Sequence, residues 1–439
     1  MKKWWIFCFI LILIFGCTKP QIENSEKLEK SSFNESSNLI KEEFTNDNLN
    51  RTQNKLPPCP SETATNCDRS KIGITESDGK KRYSETIGNN CEGYGIVNFT
   101  YAPMKLEDIG FIEPLGLMLG SHVTPIDHQY YYQKDWVAEP TEADLKDVFA
   151  PADGIITSIQ AMPSFFSHVR PELGDYRIIL AHTCSFYTIY IHVYKLSDKI
   201  YEQVEDLKPG ENKGLNILVK AGELIGKANS FDFSAHNEDV VLSGFIVPEH
   251  YTGEPWKIHT VDPFDYFVEP LKSKLLEKNL RLDIPRGGKI DYDINGRLIG
   301  NWFKENTNGY RGIKQPEYWV THLSISPDGL DPEHIIVSLG DFKGEAMQFG
   351  VKGNSPNPKD VDVSTGLVKY KLVHYSYYDL NNKRWESTYY AKGLKAKNNE
   401  EVNGVVLLQL ISDRKLKVEI FPDKTDVDGF TEKAMIYER

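Results

Sequence analysis

Positive charge is in deficit in this sequence: Lys and Arg number 51 against 63 Asp and Glu, a formal net charge of −12 over 439 residues. Nucleic-acid binding relies on Lys and Arg neutralising phosphates, so the deficit argues against that class. It argues equally against attachment to an anionic membrane by charge alone. Long hydrophobic runs are also missing, because the unbroken apolar stretch from Trp4 to Phe15 is too short to span a bilayer as a stable helix. Helical periodicity is scarce and no repeat of fixed period is visible. None of the six cysteines stands in the spacing of a zinc knuckle. What is present is enough apolar (40%) and aromatic (12%) residues to bury sizeable cores, in a chain whose length suggests about two or three domains.

The chain opens on Lys2 and Lys3, then the apolar run, then Gly16-Cys17. A basic start, a short apolar centre and a small-residue end describe an export signal over residues 1–16. The ending Ile14-Phe15-Gly16-Cys17 resembles the lipobox of prokaryotic lipoproteins. That resemblance implies lipidation of Cys17 and an exported protein, periplasmic or on the cell surface, held to the membrane through its N-terminal lipid. The stretch 17–70 begins rich in Asn, Ser, Lys and Glu without a sustained period and is expected to be a flexible tether, since it cannot bury enough apolar area to offset its chain entropy. Cys59, Cys67, Cys91 and Cys184 then remain in an oxidising compartment, where two disulfides are possible in three connectivities.

Beyond the tether, short β-rich runs alternate with turn signals, the pattern of an all-β protein. Such runs are read at Gly95–Tyr101, Gly154–Ile159, Tyr176–Ala181, Thr188–Val193 and Val240–Val247. Helices are expected only at Thr141–Asp147 and at Pro270–Leu280, the second marking a boundary. The expected organisation is a β-domain over 71–275 followed by a β-barrel or β-sandwich over 285–439. In the latter, strands are read at Trp319–Ser326, Ile335–Leu339, Leu367–Tyr375, Glu386–Tyr390, Val405–Ile411 and Lys415–Phe421.

The stretch that bears on chemistry runs from Leu119 to His236. It holds Ser121-His122-Val123-Thr124-Pro125-Ile126-Asp127-His128, then Val148-Phe149-Ala150-Pro151-Ala152-Asp153-Gly154, then Ile178–His182, Tyr190-Ile191-His192 and Val219–Gly226. In order and wording, residues 110–250 resemble the lysostaphin-like zinc metallopeptidases, which cleave peptidoglycan peptides. The resemblance implies an antiparallel β-fold in which zinc is held by an early His, an Asp and the second His of a closing His-x-His. Three protein ligands and a water are what catalytic zinc needs. Carried over, His122 is the first ligand and His192 a catalytic histidine beside the water.

Two departures stand beside the matches. Asp127 lies five positions after His122, where the family has four, so either the loop bulges or His128 takes the second ligand place. Side chains an even number apart share a face on a straight strand, which favours the pair His122 and His128, but Pro125 argues against straightness. The closing His-x-His is absent: His236 stands for its first member, in a catalytic role, and Glu238 for its second, as a ligand. The candidate zinc set is therefore His122, Asp127 or His128, and Glu238. A turn role for Asp127-His128 is the alternative to metal binding.

The remaining histidines, His168, His250, His259, His322, His334 and His374, lie in no ligand-like spacing and are assigned to loops or the surface. His182 reads as a core or edge histidine of its strand. Tyr130-Tyr131-Tyr132 with Trp136 either lines a sugar or peptide groove or packs a strand. In the last region, followed by about seven or eight strand-like runs, Gly300-Asn301-Trp302 resembles the Gly-x-Trp of lipocalin-like barrels, which implies a barrel that could hold a small apolar ligand, with a generic β-sandwich as the alternative. The favoured function is a lipid-anchored envelope binding or scaffold module with a degenerate endopeptidase-like domain. An active zinc endopeptidase on cell-wall or Gly-rich peptides and a ligand-binding lipoprotein are the alternatives.

Overall fold

The computed structural model describes residues 75–77, 81–83, 86–88, 91–162, 173–387 and 389–439. The export signal, Cys17, the tether, Cys59, Cys67 and His168 lie outside the described residues. The protein is mainly β. Strands β1 (Thr75–Ser77) and β2 (Lys81–Tyr83) form a small hairpin. The next strands are β3 (Ile109–Glu113), β4 (Gln129–Gln133), β5 (Lys146–Phe149), β6 (Gly154–Ala161), β7 (Tyr176–Ala181) and β8 (Phe186–Val193). They continue with β9 (Lys195–Leu196), β10 (Asn212–Val219), β11 (Leu224–Ala228), β12 (Ser230–Asn237) and β13 (Thr260–Val261).

The main sheet runs β10-β6-β7-β8-β12-β4-β3, with β13 added on β12, and β5-β11-β9 form a second sheet. Its central strands are rich in Ile, Tyr, Thr and Phe, which suit a pleated, half-buried surface. Side chains alternate along β12: Phe231, Phe233 and Ala235 enter the core with Tyr131, Tyr190 and Leu180. Asp232, Ser234 and His236 therefore point to the opposite face. That face carries the site.

The structure corrects several sequence expectations. Gly95–Tyr101 is not a strand; it makes a single bridge, Phe99 with Phe267, after Gly93 and Gly95 take positive φ of 69° and 85° and turn the chain. Val240–Val247 is a loop, because the Val240 amide folds back on Asn237 O at 2.9 Å and Gly244 lies directly against the Asp291 carbonyl. Thr141–Asp147 divides into a 3-10 turn, Glu142–Asp144, and the start of β5. The boundary helix is present but shorter, Leu271–Leu276. Cys91 and Cys184 are disulfide-bonded, one of the pairings left open by spacing.

The C-terminal region is a closed antiparallel barrel of β14 (Gly300–Lys304), β15 (His322–Pro327), β16 (Ile335–Phe342), β17 (Glu345–Val351), β18 (Val368–Tyr378), β19 (Lys395–Ser412), β20 (Lys415–Pro422) and β21 (Met435–Glu438). Each strand pairs with the next and β21 returns to β14, so no edge is left open. Glu386–Tyr390 is not a strand among its described residues; the Trp385 indole donates to Tyr389 O at 2.7 Å and shapes a loop instead. A contiguous apolar cluster that includes Trp302, Ile325, Val337, Phe349, Tyr370 and Val406 packs between the barrel strands. The described residues belong to one compact unit. Within it, Trp385 and Leu394 of the second region pack with Phe111, Leu117 and Ile126 of the first. Gln348 also donates to Gly120 O at 2.9 Å. The loop carrying His122 is thus buttressed by the barrel.

Candidate functional site

The site begins at a bulge in β8. Between Tyr176↔Val193 and Ile178↔Tyr190 the register gains one residue on β8, and His192 adopts φ 67°. A left-handed conformation at a non-glycine residue costs about 1–3 kcal/mol and is held only by its surroundings. Bulges of this kind re-aim a side chain. Here the imidazole is turned between two buried carboxylates: its Nδ1 lies 3.0 Å from Asp175 Oδ2, and its Nε2 lies 3.8 Å from Asp232 Oδ2. Asp232 sits opposite both Ile191 and Tyr130 in the sheet.

On the far side of Asp232 stands His128, its Nε2 at 3.3 Å from the same carboxylate oxygen and its Nδ1 at 3.0 Å from Asp127 Oδ1. The result is an alternating chain, Asp127, His128, Asp232, His192, Asp175. The His128 Nε2 contact is close without the alignment of a hydrogen bond, and the buried Asp127 Oδ2 and Asp232 Oδ1 also lack hydrogen-bond partners. His122 packs edge-on to His128 with ring centroids 5.6 Å apart.

The electrostatics follow from burial and from alternation of sign. Burial alone pushes the His192 imidazole down, but the carboxylates of Asp232 and Asp175 outweigh it and raise it to about 9. His128 is raised against burial by Asp232 and Asp127. Burial, with His128 and Lys257 adding repulsion, lowers His122 to about 3, so it is neutral. Asp127 is held below the usual carboxylate range, because the Lys257 ammonium and the His128 hydrogen bond overcome its burial.

The other expected site residues are engaged elsewhere. His236 lies on the same face of β12 but its Nε2 meets Ser234 Oγ at 2.7 Å and its Nδ1 meets Trp256 O at 3.1 Å, under a stacked Tyr187 ring. Glu238 pairs with His259 Nε2 at 3.4 Å, while His259 Nδ1 donates to Val240 O at 2.6 Å. The partners Trp256 and His259 belong to a 3-10 turn, Pro255–His259, whose residues follow a long loop and could not be placed from spacing.

A zinc ion needs donors converging at about 2.0–2.2 Å. Among the described residues no three His, Cys, Asp or Glu side chains converge in that way. The expected set of His122, Asp127 or His128, and Glu238 is not assembled: Asp127 and His128 hold each other, and Glu238 is turned to His259. The residues as placed do not fit a three-ligand zinc centre. Asp232 and Asp175, which organise the chain, were missed. The signal for Asp232 was available: a carboxylate between two phenylalanines on an alternating strand marks a polar face.

Three of the histidines assigned to loops or the surface are buried: His259, His322 and His334 have relative exposures of 1%, 2% and 5%. Each is buried because a partner accepts or approaches its ring, as Tyr310 O does for His322 Nε2 at 2.9 Å. His182 donates from Nδ1 to Asp153 O at 2.9 Å and meets Thr188 Oγ1 at 3.1 Å, a position at the end of β7. The tyrosines divide by face. Tyr131 enters the core, while Tyr130 and Tyr132 lie beside the site, Tyr132 stacking on Phe111 and contacting the exposed Trp136.

No known protein family matches the sequence, and no curated protein matches it. Among solved structures, the NMR solution structure of lysostaphin is similar at 14% identity, covering 58% of this chain and 95% of that one, with a TM-score of 0.23. That level does not establish a shared fold.

Proposed function

We propose that this is a lipid-anchored envelope protein whose first β-assembly is a peptidoglycan-hydrolase-like domain that binds cell-wall peptide or glycan without cleaving it. One observation carries the reading. The side chains that a hydrolytic centre would need are closed on one another, His128 and His192 between carboxylates and His236 and Glu238 on the Pro255–His259 turn. Of the sequence motifs, Tyr190-Ile191-His192 closes β8 beside this chain. The test is peptidoglycan zymography with and without chelator, alongside sedimentation with purified sacculi. The expected result is retention on sacculi and no clearing by wild type, His122→Ala or His192→Ala. Clearing by wild type that chelator and either substitution abolish would overturn it.

The active zinc endopeptidase is kept as a second reading by one observation, the buried and unpartnered Asp127 Oδ2, His128 Nε2 and Asp232 Oδ1 atoms. The same zymogram decides it. Membrane attachment rests on the sequence from Lys2 to Cys17. Metabolic labelling with a radiolabelled fatty acid is expected to mark the wild type, and Cys17→Ser is expected to remove the label and release the protein from the membrane fraction.

A further inference from the structure

Trp136 is the one exposed tryptophan among the described residues, and Val137 beside it is exposed as well. Single exposed apolar side chains are ordinary, but these two stand on a loop that the fold holds firmly. The buried Asn229 side chain donates to Val137 O at 2.7 Å and accepts from the Val137 amide at 3.4 Å and from Gln133 Nε2 at 2.6 Å. Gln133 Nε2 also donates to Asp144 O at 2.8 Å, which ties down the far end of the loop. A buried pair of amides is thus committed to fixing a segment whose own side chains face solvent.

The indole does not stand alone. It meets the Tyr132 ring edge-on with centroids 6.1 Å apart, Phe111 stacks behind Tyr132 at 4.6 Å, and Tyr130 continues the row 6.3 Å from Tyr132. In the sheet, Tyr132 lies opposite Ser230 and Tyr130 opposite Asp232, so the two tyrosines share a face with the Ser230 hydroxyl and with Asp232. His192, beside Asp232, has a side chain that is 33% exposed. Aromatic rings and hydrogen-bonding groups therefore alternate on one accessible face.

Charge narrows what such a face accepts. The loop reads Lys134-Asp135-Trp136-Val137-Ala138-Glu139, and its acids oppose an anionic membrane surface or a nucleic acid. Asp127, Asp232 and Asp175 each already lie against an imidazole, so no carboxylate of the chain is left over to draw an organic cation. A neutral ring that is apolar on one side and hydroxylated at its rim matches both features, the flat aromatic surface and its polar border. That is the chemistry of a pyranose sugar.

We propose that Trp136 and Tyr132 form a stacking platform for the pyranose rings of a neutral glycan, whose hydroxyl groups hydrogen-bond with Ser230 and His192. The proposal rests on the reading of this assembly as a cell-wall binding domain and names glycan, not peptide, as what it holds. The clamp on Val137 presents the indole ready-made, which lowers the ordering cost of binding.

The experiment titrates the full-length protein with a soluble chito-oligosaccharide, with an oligoglycine peptide and with phosphatidylglycerol vesicles, by calorimetry and by acrylamide quenching of tryptophan fluorescence. Wild type is expected to bind the oligosaccharide and to become less quenchable as it does. Trp136→Ala is expected to bind it about tenfold or more weakly, the scale of truncating an aromatic anchor. Trp136→Phe keeps a flat ring and is expected to retain most of the affinity. Absence of oligosaccharide binding by wild type overturns the proposal, as does binding that Trp136→Ala leaves unchanged. Binding to oligoglycine or to vesicles in place of the oligosaccharide, lost in Trp136→Ala, overturns it in favour of a peptide or a membrane. Sedimentation with sacculi is a separate readout. Oligosaccharide binding that depends on Trp136 without retention on sacculi upholds the platform and overturns the cell-wall reading, whereas retention that Trp136→Ala leaves intact does the reverse.

Discussion

Replacing Arg439 by Ala is expected to cost the protein about 3–5 kcal/mol, the range for removing one partner of a buried charge pair. The Arg439 side chain is 1% exposed and its guanidinium lies 3.9 Å above the Trp302 ring. Nη1 pairs with Asp293 at 3.4 Å and Nη2 donates to Ile294 O at 2.9 Å, with further bonds to Ile299 O and Arg297 O. It therefore ties the approach to β14 to the end of β21. Trp302 is itself fixed by its indole, which donates to Leu298 O at 2.9 Å.

Without the arginine, Asp293 is a buried carboxylate whose remaining support is the Asn301 amide at 2.7 Å and other backbone donors. Burial already raises Asp293 to about 6, with Arg439 opposing the rise. The penalty of Arg439→Ala is expected to be larger above pH 6 than below it, since protonation relieves the unpaired charge. Adding Asp293→Asn is expected to recover much of the loss, while Arg439→Lys, lacking the planar fork, recovers little. Urea denaturation of the four proteins checks this; a loss below about 1 kcal/mol for Arg439→Ala would place the pair among surface-like bridges.

The second large effect is loss of stability in mild acid. His322 and His236 are buried and neutral, their imidazoles lowered by desolvation to about 3 and about 4. On unfolding both return to about 6.5 and take up protons. The unfolded state thus binds more protons than the folded state between pH 6.5 and pH 4, so stability is full above the upper limit and falls as pH falls. These two histidines alone give a slope of about 2.7 kcal/mol per pH unit and a loss on the order of 5 kcal/mol over the window, and His122 and His182, lowered by burial to about 3 and about 4, act in the same sense. That is comparable with the whole stability of a typical domain.

His192 acts in the opposite sense. Its folded pKa of about 9 exceeds the unfolded 6.5, so the stability it adds is present below 6.5 and is lost as pH rises through 9. Stability is therefore expected to peak near neutrality. His322→Gln should flatten the acid limb by about one proton and leave the alkaline limb alone, whereas His192→Gln should do the reverse. Denaturant midpoints taken across the pH range measure both limbs, and an acid limb unchanged by His322→Gln would remove that residue from the account.

Sequence reading found strands in both regions where side chains alternate or run apolar over a few residues. Tyr176–Ala181 agrees at both ends with β7, and Lys415–Phe421 falls within β20. Two of the expected strands that failed, Gly95–Tyr101 and Val240–Val247, contain glycines whose conformation or close contact with distant backbone decides the path. The barrel was legible as a series of strands, while its closure was not. Closure depends on β21 meeting β14 across the whole region, and strand pattern alone leaves barrel and sandwich equal.

At the site, the residues of one segment were found together, His122, Asp127 and His128, along with His192 on the strand motif. Their partners were not. Asp232 lies 104 positions from His128 and acts through sheet register; Asp175 depends on the β8 bulge; Lys257 and His259 arrive on a turn that follows a loop. By itself, the sequence determined that this is a mainly β, acidic chain and which residue types stand ready for charge chemistry, because alternation, turns and net charge are local or additive properties. Which carboxylate each of those histidines meets was decided only by the tertiary structure, since a charge in a poorly screened interior is governed by whatever lies within a few ångströms, however far away in the chain.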